Sequence, residues 1–398
     1  MPHTPENVEN NSEVSHQTTF EKHKAERWGR YLQAVKQLRS KEASARVSGV
    51  HALVVLVDEW LQEENLSEDE KIKEGQLIIN KLCAYICSPF ALASEYDELI
   101  QDSPAAEGLY KNREQEFYIH KAELQAEADV RLSIMKEIHA RLQGPNKNTP
   151  GAWSDFEYDF SGSIFFYPVD LTHSYYTKPV HFSESVYQSS ANFSGSTYRD
   201  WVGFNDSTYR GRTDFSGSTY QGWANFSRST YKGGADFRGS TYKSRAEFTD
   251  STYENETDFS GSIFYQETYF GEDIYSNSSS CFTNHAPQFY DKTNHKNTLF
   301  GSHNNDFTVD IDKGYPIDLD SKGIPLNCKF LTSEQKEYLA DKFREIEKIN
   351  NKLREVKDLK EKAELSEKLR DLNNELHKWR KEATTVKVED VATEDTES

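Results

Sequence analysis

Four cysteines and twelve histidines are the side chains in this 398-residue sequence best suited to hold a metal or attack a substrate. Cys83 and Cys87 stand one helical turn apart, a separation at which two thiolates can face one ion. They lie in an apolar stretch with no second pair to complete four ligands, so they read as small core residues. Cys281 and Cys328 stand apart, and the chain has neither a CxxC pair nor a disulfide framework. His173, His181 and His285 have no HxxxH or HxH partner and no adjacent paired carboxylate. Ser, Tyr and Asp abound between 155 and 276, but each falls at a fixed repeat position that gives it a structural duty. The glycine pair Gly233-Gly234 belongs to a repeat corner, not to a strand–loop–helix phosphate cradle. The expectation is therefore no catalytic residue, no cofactor and no metal.

Binding is better represented than catalysis. Arg199, Arg210, Lys232 and Lys243 each follow a tyrosine, while Trp201, Trp223 and Arg245 share one 22-residue register. Tryptophan and arginine are the residues that anchor protein interfaces. These seven form the candidate interaction surface.

The element that must position them is a repeat. Phe or Leu recurs every eleventh position from Phe160 to Phe270, and a second aromatic follows five residues later, from Phe165 to Tyr275. In the regular stretch a small or β-branched residue stands two positions before each Phe, from Val180 through Ala191 and Thr213 to Thr268, and Ser stands two before each second aromatic, from Ser185 to Ser262. In extended chain, residues i and i−2 share a face, so one large and one small residue point inward and the polar residue between them points out. The predicted core contains Phe193, Tyr198, Phe204, Tyr209, Phe215, Tyr220, Phe226, Tyr231, Phe237, Tyr242, Phe248, Tyr253 and Phe259. Gly195, Gly217, Gly239 and Gly261 recur every 22 residues, with Asp206, Arg228 and Asp250 at the alternate sites. The coil is thus 22 residues, and inward Tyr hydroxyls need partners that the neighbouring serines could supply.

Ala-Asn-Phe-Ser-Gly at 191–195 and Ala-Asp-Phe-Arg-Gly at 235–239 are similar to the repeat of the pentapeptide-repeat proteins. That resemblance implies a right-handed quadrilateral β-helix over 155–276. With its helical block ahead of the solenoid, the chain resembles the actinobacterial members. Some members of the family imitate duplex DNA and bind type II topoisomerases such as gyrase.

On either side the periodicity changes to helical. Trp28, Tyr31, Leu32, Val35 and Leu38 form one stripe, and Val47 to Val57 another behind a Ser44 N-cap; further helices are expected over 68–88 and 114–142. Ala43 to Leu56 resembles a HEAT-type repeat, and a block of this kind could cap the first coil. Near 333–382, Leu365, Leu369, Leu372, Leu376 and Trp379 follow the four-three spacing of a coiled coil, with a change of phase near 360–363 where a bend or fold-back of the helix is expected. That seam would serve self-association into a homo-oligomer or packing against the helical block.

The expected organisation is an α+β multidomain chain: unstructured 1–20, a HEAT-like helical bundle over 21–145, the β-solenoid over 155–276, an irregular cap and linker over 277–332, a charged coiled-coil helix over 333–382, and an acidic unstructured tail over 383–398. A net charge of −19 argues against binding nucleic acid or an anionic membrane nonspecifically. No apolar run reaches the ~20 residues of a spanning helix, and the first 20 residues contain no signal-peptide core, so a cytoplasmic protein is expected, and the family resemblance implies a bacterial one. The function expected is a non-catalytic scaffold with a protein partner. The alternatives are a DNA-mimic regulator of gyrase and an enzyme with a site at the bundle–solenoid junction.

Overall fold

The computed structural model describes residues 6–146, 148–273, 277–356 and 358–386. The chain divides into two units, one of Met1–Tyr85 with Leu99–Glu137, the other of Ile86–Glu98 with Ile138–Ser398.

The first unit is helical: α1 (Glu6–Gln37), α2 (Ala43–Leu61), α3 (Glu68–Ile86), the short α4 (Tyr96–Leu99) and α5 (Glu114–Leu142) supply its elements, α3, α4 and α5 continuing into the second unit. Helix begins at Glu6, so the lead-in expected to lack structure is helical over 6–20. α1 and α2 pack through Ala34, Leu38, Val50, Leu53 and Val57. Gly49 is needed there, because a Cβ would lie 2.8 Å from the Ala34 carbonyl oxygen. Leu32, expected in the stripe, is exposed. The cap of α2 is Glu42 rather than Ser44, with no side-chain cap bond. Arg131 and Glu127 are buried and joined at 2.8 Å, and Arg46 and Tyr85 close on the same carboxylate at 3.3 and 3.1 Å. Glu127 therefore ties α2, α3 and α5 together. Burial pushes the Tyr85 hydroxyl up to about 12.

The second unit is a parallel β-solenoid of about five regular coils. Each coil gives one two-residue strand to each of four sheets, and each strand pairs with the strand 22 residues on: in the first sheet Ala224 with Ala246, in the second Thr230 with Thr252, in the third Thr213 with Ala235, and in the fourth Thr219 with Thr241. Inward rings stack in four columns, with Tyr209–Tyr231 centroids 4.8 Å apart, Phe204–Phe226 5.2 Å, Phe215–Phe237 5.0 Å and Tyr220–Tyr242 4.8 Å. Between columns the rings meet edge to face, as at Phe215–Phe226, 5.1 Å. All the predicted core rings from Phe193 to Phe259 are buried, as are the residues two before them. Tyr275 lies outside the described residues.

The turn after each Phe explains the spacing of the glycines. Two residues on, the backbone has positive φ at every half coil: Gly195, Gly217, Gly239 and Gly261 on one side, and Glu184, Asp206, Arg228 and Asp250 on the other. The Asp or Asn before Phe faces outward and its side chain accepts the N–H two residues on, as Asn192 does from Ser194 and Asp214 from Ser216. These Asx turns make the acidic residue part of the corner.

The segment 277–332 is not the irregular exit expected. Cys281–Phe282 pairs with Thr252–Tyr253 and Leu299–Phe300 with Ile263–Phe264. Phe282, Phe289, Phe300 and Phe307 extend the four ring columns at 4.7, 5.0, 5.4 and 6.0 Å. A sixth coil is present, obscured by insertions that lengthen its sides; the Ser251–Ser280 step, for one, is 29 residues. At the other end of the solenoid, Trp153 and Phe156 are fully buried, and the Ser154 carbonyl takes the Thr177 N–H at 3.0 Å.

The charged helix expected over 333–382, with a bend or fold-back near 360–363, is a hairpin of α6 (Ser333–Glu355) and α7 (Leu359–Ala383), capped by Thr332 and Asp358, the break falling just before the expected place. Ile346, Ile349 and Leu353 meet Leu369 and Leu372 within it. Leu339 and Phe343 pack with Ile263, Leu299 and Leu331, joined by Leu376 and Trp379. The apolar seam is thus occupied within the chain, against the fourth sheet. Of the expected tail, Ala383 ends α7, Thr384 to Val386 are placed, and 387–398 lie outside the described residues.

Candidate interaction site

The seven predicted surface residues fall in three places. Trp201, Trp223 and Arg245 lead into successive strands of the first sheet, Val202–Gly203, Ala224–Asn225 and Ala246–Glu247. There the Trp201 ring stands 4.6 Å from His181 and 6.0 Å from Trp223. Its indole lies over Gly203, where a Cβ would come within 2.8 Å of the ring. Arg245 sits 4.4 Å above the Tyr269 ring and pairs with Glu247, whose carboxyl burial raises above its ordinary range although Arg245 opposes the shift. Trp223 is 39% exposed, the most exposed aromatic residue of the regular coils. The result is a continuous column of His181, Trp201, Trp223, Arg245 and Tyr269 along one face.

Arg199 and Lys243 lie elsewhere, beside α6. Lys243 is 3.8 Å from Glu347 and 5.5 Å from the Phe343 ring centroid. Arg199, lowered by burial, sits with Tyr175, Arg354, Asp155 and Glu347. Arg210 pairs with Asp97 at 2.8 Å, and Lys232 is exposed on the same side of the coil. His181 and Tyr269 were missed because both occupy the outward position before Phe, where the repeat normally carries a turn-forming Asp or Asn; an aromatic there was the available signal.

The third sheet carries Asp214, Asp236 and Asp258 in direct register. Burial raises Asp258 above the ordinary carboxylate range, while Arg238 holds Asp236 at 2.5 Å and Arg212 approaches it at 3.5 Å. Two guanidinium groups thus interrupt the acidic ladder.

The serines expected to serve the tyrosines hydrogen-bond first to main chain, although Ser196, Ser207, Ser218, Ser240 and Ser251 also lie close enough to the tyrosine two residues on to favour its ionised form slightly. Ser229 Oγ donates to the Phe204 carbonyl at 3.0 Å and receives the Ser207 N–H at 3.2 Å, a pattern repeated along the solenoid by Ser196, Ser218, Ser240 and Ser251. The hydroxyls of Tyr187, Tyr198, Tyr220, Tyr231, Tyr242 and Tyr253 are buried without a hydrogen bond of normal geometry. Burial raises all six well above the ordinary phenol range, so they are neutral packing groups rather than acids or bases.

Cys83, Cys281 and Cys328 are buried, and burial pushes the Cys328 thiol up to about 12. Among the described residues no group of three or more His, Cys, Asp or Glu is disposed to hold a metal ion, and no single helix is long and apolar enough to cross a membrane. Compared with known proteins, the chain matches no family model, no curated sequence and no solved structure.

Proposed function

We propose that the chain is a non-catalytic interaction protein, built on a solenoid of the pentapeptide-repeat kind, which engages a protein partner through the first-sheet column of His181, Trp201, Trp223, Arg245 and Tyr269. The observation that carries this reading is the exposure of Trp223 in an unbroken line of aromatic and cationic side chains. A large apolar ring left in water on a rigid face is the kind of anchor that protein interfaces use. The fourth sheet is covered by α6 and α7, and the acidic third sheet is crossed by Arg212 and Arg238. That crossing, and the turn duty of each Asp, weighs against imitation of DNA.

The test is affinity capture from a lysate of the organism that carries the chain, followed by measured binding of the recovered protein to purified variants. Trp223→Ala and Arg245→Ala should each weaken that binding at least tenfold while leaving the circular-dichroism melt within a few degrees of wild type. A partner that binds both variants as tightly as wild type would rule out this face.

A further inference from the structure

A cavity of about 490 Å³ in the second unit gathers cations in a chain whose net charge is −19. One wall is the stack of turns at Gly217, Gly239 and Gly261; the others are the hairpin of Tyr290–Asp291 with Lys296–Asn297 and the last turn of α7. Arg238, Lys296, Arg380 and Lys381 line it, with Asp291 as the facing carboxylate, itself held at 2.7 Å by Asn294. The glycine wall leaves the approach open: a Cβ at Gly239 would meet nothing within 4 Å, and one at Gly261 would come no nearer than 3.6 Å to another atom, Lys296 Cβ.

Arg380 is the unusual group. It is 7% exposed, and its guanidinium donates to Thr241 Oγ1 at 3.1 Å and to His377 Nδ1 at 2.9 Å. Arginine has no acceptor, so His377 presents a lone pair at Nδ1 and adds no charge there. Both partners are therefore neutral, and no described carboxylate pairs with Arg380. The fully buried Arg131 differs, with Glu127 at 2.8 Å, as does the half-buried Arg228, with Asp273 at 2.6 Å and Asp206 at 2.8 Å. Burial alone lowers Arg380, to about 10, which leaves it charged at neutral pH. A desolvated cation is normally balanced by an anion. Arg238 already has Asp236, and Lys296 donates to the Lys381 carbonyl at 2.5 Å, which leaves positive charge in excess at the cavity.

We infer that this cavity binds a small-molecule oxyanion of the phosphate class, with Arg380 as the buried anchor and Lys296 and Lys381 as its flanking charges. A multiply charged anion fits a planar guanidinium fork beside two point charges. The volume exceeds that of a bare ion and falls in the range of small-ligand pockets. The site is separate from the tryptophan column and stands or falls independently of it.

The test is calorimetric titration of the full chain with inorganic phosphate and with pyrophosphate, at constant ionic strength, against a chloride control. Saturable binding is expected, weakened at least fivefold by Lys381→Gln, which is exposed and leaves the fold intact, and lost in Arg380→Met. Heat no greater than the chloride control, or binding unchanged in Lys381→Gln and Lys296→Gln, would overturn the proposal. So would binding that emerges only when Glu389, Asp390, Glu394, Asp395 and Glu397 are all made amides, because the anion would then be the chain's own carboxylates.

Discussion

At Phe237 nearly every neighbour is another ring: Phe215 at 5.0 Å and Phe259 at 4.9 Å above and below it, Phe226 at 5.2 Å and Phe248 at 5.3 Å edge-on. Phe237→Ala leaves a cavity no polar group can fill and should cost about 3–5 kcal/mol, read from a thermal melt; Phe237→Asp, which buries a charge, should unfold the solenoid. The left-handed turns permit a cleaner comparison. Glu184 at φ 59° bears the strain of a side chain there, whereas Gly239 at φ 60° does not. Glu184→Gly should stabilise by about 0.5–1 kcal/mol and Gly239→Ala destabilise by about 1 kcal/mol, with opposite shifts in denaturant midpoint. Matching signs would mean that contacts, not backbone strain, govern these corners. Inward and outward positions were legible in the sequence because extended chain has period two. The hydrogen bonds were not: which of two acceptors a Ser hydroxyl chooses depends on the carbonyl of the coil beneath, a relation that spacing alone does not express.

Among the elements, the helical unit rests on one carboxylate. Glu127→Ala removes the carboxylate that Arg131, Arg46 and Tyr85 share, so it should cost about 1.5–3 kcal/mol in a denaturant titration followed by helical circular dichroism. A loss below 1 kcal/mol would show that solvent reaches the guanidinium. The α6–α7 hairpin exposes the limit of reading helices by stripe alone. Leu369 and Leu372 have coiled-coil spacing, yet their partners are Ile346, Ile349 and Leu353 of the same chain, because α7 folds back on α6. The phase change in the heptads marked that reversal; the surface receiving the hairpin, centred on Ile263 and Leu299, carried no mark. The sixth coil was hidden for a different reason. Its rings occupy the same columns, but insertions move them out of the 22-residue register, and periodicity is blind to a repeat whose corners have grown. Of the interaction site, the tryptophans and Arg245 were visible as a shared register, whereas the division of the four tyrosine-following cations depends on the hairpin and on Asp97.

For the molecule as a whole, the tyrosine columns set the response to alkali. Burial raises Tyr187, Tyr198, Tyr209, Tyr220, Tyr231, Tyr242 and Tyr253 far above the ordinary phenol value near 10. Below pH 10 both folded and unfolded chains keep these protons, and the groups have no pH effect. Above it the unfolded chain releases protons that the folded chain retains, so stability falls by roughly 1.4 kcal/mol per tyrosine for each further pH unit. Phenolate absorbance from these rings should therefore rise in one abrupt step together with loss of the β-sheet signal. A gradual rise near pH 10 with the fold intact would place the rings in contact with solvent.

The hairpin also changes the mechanics of the array. A stack of coils that touch only their neighbours can fray from an end, one layer at a time. Here α6 and α7 run along the stack like a splint: Asn350 holds Tyr175 near the first layer, Arg380 holds Thr241 in the middle, and Leu339 and Phe343 grip Ile263 and Leu299 near the last. No layer can peel away under tension until that splint lets go, so rupture should come as a single high-force event instead of a staircase of small ones.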